Sequence, residues 1–253
     1  SQEKILLEER TAAIGSIIKI HNGVSPEEIR SLFKKNRYPL RLLACQLIWD
    51  FGLEGMEEDL SKCLRDHHPV VRAAAVQTLG RFVDDLSLEI KSEVFNLLED
   101  PHFSVRVAAA YTTFLIDKEK GKEVFIQMSS QAKKRELHIL AAALMATGER
   151  GLNLAKELYD CYADPLFRVN IALGFLVQRE YLEEAADSIQ DLLSKEKGQL
   201  AYSTFGQGSF RVLSKSRIRH QAGVKNAPLL ADHLVRLDLL NRLAVIEHPV
   251  LSD

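Results

Sequence analysis

The stretch from Asp100 to Ile116, DPHFSVRVAAAYTTFLI, constrains the fold of this chain more than any other. It reads as an Asp-Pro turn, then a Val-Arg pair, then a helix carrying a row of small residues. The same pattern stands at 66–82, DHHPVVRAAAVQTLGRF, with weaker copies at 36–51, 135–148 and 164–178. Aligned on the basic residue after the turn, the copies are anchored at Arg41, Arg72, Arg106, His138 and Arg168, at intervals of 31, 34, 32 and 30 residues. A near-constant period of this size marks a stacked-repeat architecture, in which each unit buries its apolar face against the next.

Within each copy the residue before the anchor is apolar: Leu40, Val71, Val105, Leu137 and Phe167. Three residues after the anchor come Ala44, Ala75, Ala109, Ala141 and Ile171, and six and seven after it come pairs such as Leu47-Ile48 and Thr78-Leu79. These offsets lie on one helix face. Alanine on that face lets two helix axes approach closely. The spacing predicts second helices near 39–51, 69–82, 102–116, 135–147 and 166–178. First helices are expected near 55–65, 86–99, 119–130, 151–163 and 181–196. Ser25-Pro26-Glu27-Glu28 is a helix start, with serine as cap and glutamate three residues on. No convincing β alternation appears.

The pattern D-P-x-x-x-V-R-x-A-A-A resembles the HEAT family, in particular its short PBS-lyase-like form. The resemblance covers roughly residues 25–196 and is strongest around Arg72 and Arg106. His138 replaces the arginine in the fourth copy, no Asp-Pro precedes it, and Asn170 stands on the packing face of the fifth. The resemblance implies an all-α fold, a HEAT-like α-α superhelix: a right-handed solenoid of about five to six helix pairs. It also implies that Asp66, Arg72, Asp100 and Arg106 act within the scaffold, the aspartate capping a helix and the arginine tying neighbouring loops. We expect residues 1–24 to form an N-terminal capping helix, 25–197 the repeats, and 198–253 a divergent basic segment ending in a Leu-rich cap helix at 228–246.

Charge adds an asymmetry. The net charge of −2 combines a net −6 over residues 1–194, a net +6 over 195–225 and a net −2 over 226–253. Within 195–225, Tyr202, Phe205 and Phe210 sit beside Arg211, Lys215, Arg217, Arg219 and Lys225. Interleaved rings and cations suit single-stranded nucleic acid. They suit an acidic protein, or the chain's own acidic body, equally well. The second helices also grow more apolar along the chain. Gln46, Asp50, Gln77 and Arg81 leave a polar flank on the early ones, whereas Ile139, Leu173 and Leu176 extend the apolar face of the later ones. A helix apolar all round is buried all round. Something must therefore cover that wall: the C-terminal segment, a partner helix or a second copy.

Signatures of chemistry are sparse. Gly206-Gln207-Gly208 lacks the strand and third glycine of a dinucleotide loop. His67-His68 lies in a repeat turn with no third ligand beside it. Cys45, Cys63 and Cys161 are odd in number and widely spaced, so they predict no disulfide framework and no zinc site. Trp49-Asp50 brings to mind the aromatic and aspartate of HEAT-like DNA glycosylases, but the net acidic body lacks the main energy source for phosphate binding. Trp49 reads as a core residue between repeats.

The sequence therefore predicts a non-catalytic scaffold or adaptor, with no cofactor and no metal, in the cytoplasm. No signal-peptide pattern or long apolar run is present. The partner is another protein, through an acidic or helical segment, or a second copy of the chain. The expected contacts are Gln46, Asp50, Gln77, Arg81 and Tyr111 on a polar wall, Ile139, Leu173 and Leu176 on an apolar wall, and Arg211, Lys215, Arg217 and Arg219 for a basic contact. The rivals are a nucleic-acid-binding solenoid using 211–225, or an enzyme of the glycosylase or bilin-lyase type.

Overall fold

The computed structural model describes residues 23–194, 201–204 and 211–214. The fold is all-α, a HEAT-like solenoid of helix pairs. The pairs are α1 (Pro26–Phe33) with α2 (Tyr38–Phe51), α3 (Glu57–Cys63) with α4 (Pro69–Leu79), and α5 (Leu88–Asn96) with α6 (Phe103–Ile116); α7 (Lys118–Gln131) and α8 (Lys134–Met145) follow in the chain, and α9 (Leu152–Cys161) pairs with α10 (Pro165–Gln178). A further helix, α11 (Leu182–Ser194), follows. The expected helices at 2–21 and 228–246 lie outside the described residues.

Local chemistry explains the starts. Ser25 accepts the Glu28 N–H at 3.3 Å while the Glu28 carboxylate accepts the Ser25 N–H at 2.7 Å, the reciprocal cap that the sequence predicts. Pro39 and Pro69 sit in the first turns of α2 and α4, where their missing N–H costs nothing. One feature departs from the sequence expectation. Two short strands, β1 (Ala201–Thr204) and β2 (Arg211–Ser214), pair antiparallel, with Ala201 opposite Ser214. β1 rests against α8 and α10, so part of the C-terminal segment does meet the apolar second helices.

The chain divides into two compact units, one running to Gly121 and the other starting at Lys122. In the first, α2 packs on α4 and α4 on α6. Two ladders of polar contacts run across these second helices. In one, Arg41 grips the Asp66 carboxylate through Nε at 2.6 Å and Nη2 at 2.9 Å. Arg72 grips Asp100 the same way, at 2.8 and 3.0 Å. Each aspartate also accepts a backbone N–H of its own turn, from His68 at 2.8 Å and His102 at 2.9 Å. In the other ladder, Thr78 donates to the Cys45 carbonyl at 3.3 Å and Thr112 to the Val76 carbonyl at 2.7 Å. Both threonines stand six residues after the anchor arginine. The chain then turns sharply at Asp117, whose carboxylate accepts the Lys120 N–H at 3.1 Å. Gly121 lies so close to the Phe114 backbone that no Cβ would fit.

Among the described contacts of the second unit neither an arginine–aspartate fork nor a threonine–carbonyl rung of this kind recurs. Leu144 and Gly174 stand where the threonines were. Gly174 instead admits Met145 into direct contact with the α10 backbone. The hydroxyl of Tyr159 bonds the Glu184 carbonyl at 2.9 Å and Ser188 at 2.5 Å, joining α9 to α11. At the anchor place of α8, His138 is 5% exposed, and neither ring nitrogen has a hydrogen-bond partner.

The two units consequently respond to acid differently. In the first unit burial raises the Asp66 and Asp100 carboxyls, but the Arg41 and Arg72 hydrogen bonds, the backbone N–H groups and the arginine charges outweigh it. Both carboxyls sit below the ordinary 3.8. Their contribution is intact above that value and lost only as pH falls below it. Burial pushes His138 below its ordinary 6.5, against a smaller opposing pull from Asp164, the one charged group that bears on it among the described residues. The unfolded chain then takes up the proton first, and stability is lost as pH falls from 6.5 toward the folded value. Hydrogen exchange compared at about pH 7 and about pH 5 should show residues 134–178 losing protection before residues 38–116. His138→Met should remove that difference.

Candidate protein-binding surface

The surface is built at the C-terminal end of α2. Gly52 takes the left-handed conformation, φ 61°, and closes the helix. The Leu53 N–H reaches back to the Ile48 carbonyl at 3.2 Å, which leaves the Trp49 carbonyl at the negative end of the helix dipole. Arg81, following α4, donates Nη1 to that carbonyl. Its guanidinium lies 5.9 Å from the centre of the Trp49 ring. A Cβ at residue 52 would stand 2.8 Å from Arg81 Nη2, so Gly52 also makes the room that this arginine occupies.

Trp49 is half-buried, not a core residue, and shares a face of α2 with half-buried Gln46 and exposed Asp50. Arg81 is exposed. Thus Gln46, Trp49 and Asp50 follow one another on a face of α2, and Arg81, just beyond α4, meets that face at Trp49. The sequence reading missed Trp49 as part of this face. Its spacing of three from Gln46 carried the signal.

The other two residues of the expected polar wall are interior. Tyr111 is 4% exposed, and its ring packs on Gly80, where a Cβ would stand 2.8 Å from it. Burial pushes the Tyr111 hydroxyl up to about 12. Gln77 is 3% exposed, its Nε2 without a hydrogen-bond partner. On the apolar wall Ile139 and Leu173 are half-buried and Leu176 is fully buried. Tyr111, Gln77 and Leu176 are thus the interior members of the expected walls. Of the basic group, Arg211 opens β2, and Lys215, Arg217 and Arg219 lie outside the described residues.

Among the described residues no three His, Cys, Asp or Glu side chains converge as metal ligands. A groove between α1 and α3 is lined by Arg30, Lys34, Arg41, Asp59, Lys62 and Asp66, and three of these four cations are engaged. Arg30 holds Asp59 at 2.9 Å, Lys62 holds Asp59 at 3.2 Å, and Arg41 holds Asp66. Among the described residues no helix is long and apolar enough to cross a membrane.

The Arg81 contact has a direct optical readout, because Trp49 is the chain's single tryptophan. Arg81→Ala should uncap α2 at a cost of about 1 kcal/mol and leave the indole more open to water. The expected result is a red-shifted emission and stronger acrylamide quenching in the folded state. An unchanged emission would show that Arg81 does not shield the ring.

Comparison with known proteins agrees with this architecture. No curated protein and no solved structure matches the chain. Residues 59–86 do match the HEAT repeat, a span that holds most of α3 and all of α4, together with Asp66, Arg72, Thr78 and Arg81. The chain thus carries a HEAT repeat at the centre of its first unit.

Proposed function

We propose that the chain is a non-catalytic interaction scaffold that binds another protein through the Gln46, Trp49, Asp50 and Arg81 face. The observation that carries this reading is a half-exposed tryptophan fixed against an exposed arginine at a capped helix end. Tryptophan and arginine are the residues in which interface energy concentrates. Here both are held in place before any partner arrives, so little ordering entropy opposes binding. The HEAT match at 59–86 supports the same role, since repeats of this type commonly serve protein association. A cytoplasmic setting belongs to this proposal, in keeping with the unpaired thiols of Cys45, Cys63 and Cys161. So do the repeat boundaries at 25 and 197, and a second copy of the chain as a candidate partner.

The test uses surface changes that leave the core alone. Gln46→Arg and Asp50→Lys alter the face, and Leu88→Ser alters an outer-helix leucine that is 86% exposed. In affinity capture the partner retained by the unmodified chain should be retained by Leu88→Ser and lost with the two face variants. Capture that falls equally for all three, or for none, would refute the assignment of the face.

A further inference from the structure

The anchor arginines of the first three copies share one posture. Arg41, Arg72 and Arg106 each turn Nη1 onto the carbonyl six residues earlier: Lys35 at 2.8 Å, Asp66 at 2.6 Å and Asp100 at 2.8 Å. That contact aims the other edge of the guanidinium, Nε with Nη2, away from the turn. Arg41 and Arg72 use this edge to hold the two oxygens of a carboxylate. Arg106 is set up the same way. A second contact from Nη1 to the Pro101 carbonyl at 3.3 Å and the Phe103 ring 5.5 Å from its guanidinium fix it further.

Among the described residues, however, no acceptor meets the Nε–Nη2 edge of Arg106. The reason is in the sequence. Asp66 and Asp100 stand six residues before the anchors Arg72 and Arg106, and the residue six before His138 is Ala132. Arg168 does not share the vacancy. It spends Nε on the Tyr162 carbonyl at 2.8 Å and lies 5.0 Å from the Tyr159 ring. Arg106 is therefore a carboxylate receptor of the kind used twice in this molecule, partly exposed and without a carboxylate of its own.

We propose that Arg106 is a docking point for an aspartate or glutamate side chain of a partner protein, held two-pronged through Nε and Nη2. This rests on the scaffold reading and supplies the chemistry of the partner's contact, a single side-chain carboxylate. Bidentate pairing of a planar guanidinium with a carboxylate is strong and directional, and a preorganised fork loses little entropy on binding. The surroundings favour a single carboxylate over a polyphosphate backbone. Residues 23–121 carry 13 basic and 16 acidic side chains, a body that repels a polyanion.

The probe is acetyl-Gly-Asp-Pro-Gly-amide, with its asparagine counterpart as control, added to the full chain while the arginine Nε–H resonances are followed by NMR. The Arg106 resonance should move and saturate with the aspartate peptide, and those of Arg41 and Arg72, whose forks are filled, should stay. Arg106→Lys keeps the charge but not the fork. It should weaken the backbone response of residues 100–107 by about tenfold. No movement at Arg106, equal movement at all three arginines, or an equal response to the asparagine peptide would each overturn the proposal. The two readings fail separately. A silent Arg106 with partner capture still lost in Asp50→Lys sinks the docking point alone, whereas a responsive Arg106 with capture untouched by the face variants sinks the face.

Discussion

The pairing of an arginine in one repeat with the aspartate of the next turn organises the first unit. Asp66 and Asp100 each serve two neighbours, because each accepts a backbone N–H of its own turn and the guanidinium of the preceding copy. The pairs are nearly dry, with side-chain exposures of 12% and 8% for Arg41–Asp66 and 12% and 6% for Arg72–Asp100. A buried ion pair contributes little by its mere presence, but removing one partner strands a charge out of water. The pairs therefore fix the register of successive helices more than they add to gross stability. They also prevent the turns from sliding past one another. The threonine ladder has the same logic on a smaller scale, tying each second helix to a backbone carbonyl of the one before.

Among the described residues both ladders belong to the first unit, which ends just beyond α6. The sequence changes at that point in two ways at once. Ala132 removes the next carboxylate, and Leu144 removes the next hydroxyl. The described contacts of the second unit are of another kind, with Met145 packed on Gly174 and the Tyr159 hydroxyl hydrogen-bonded across from α9 to α11. Apolar packing is less directional than a two-pronged ion pair, and it leaves His138 as a polar group buried without an acceptor. A stack built from copies of one motif thus changes its binding chemistry midway. Arg106, at the change, keeps the donor half of a contact whose acceptor half is gone.

Much of the fold was legible from the anchors alone. The period placed all five second helices, and Ser25-Pro26 with Glu28 placed the start of α1, because helix faces and caps are written in local spacing. Tertiary choices were not. The resemblance implied that the arginine ties neighbouring loops, but no local rule shows that Arg72 binds Asp100 while taking only the backbone carbonyl of Asp66. Tyr111 was expected on the polar wall. Gly80 on the neighbouring helix draws it inside, a pairing that no helical period contains. The β1–β2 hairpin was invisible because four-residue strands are too short to show alternation. For the candidate surface the sequence supplied Gln46, Asp50 and Arg81 but assigned Trp49 to the core. The cap from Arg81 onto the Trp49 carbonyl depends on Gly52 ending α2, and only the folded chain brings the two together.

The coupling between Arg72 and Asp100 sets the register of the first unit, and a double-mutant cycle measures it. Stability is determined by urea unfolding for the parent chain, Arg72→Ala, Asp100→Asn and the pair. Asparagine keeps the acceptor for the His102 N–H, so the cycle isolates the contact between repeats. A coupling energy of at least about 1.5 kcal/mol is predicted for a close, desolvated charge pair. Additivity within about 0.5 kcal/mol would mean that the repeats are registered by packing alone, and the ladder would no longer explain the division of the chain.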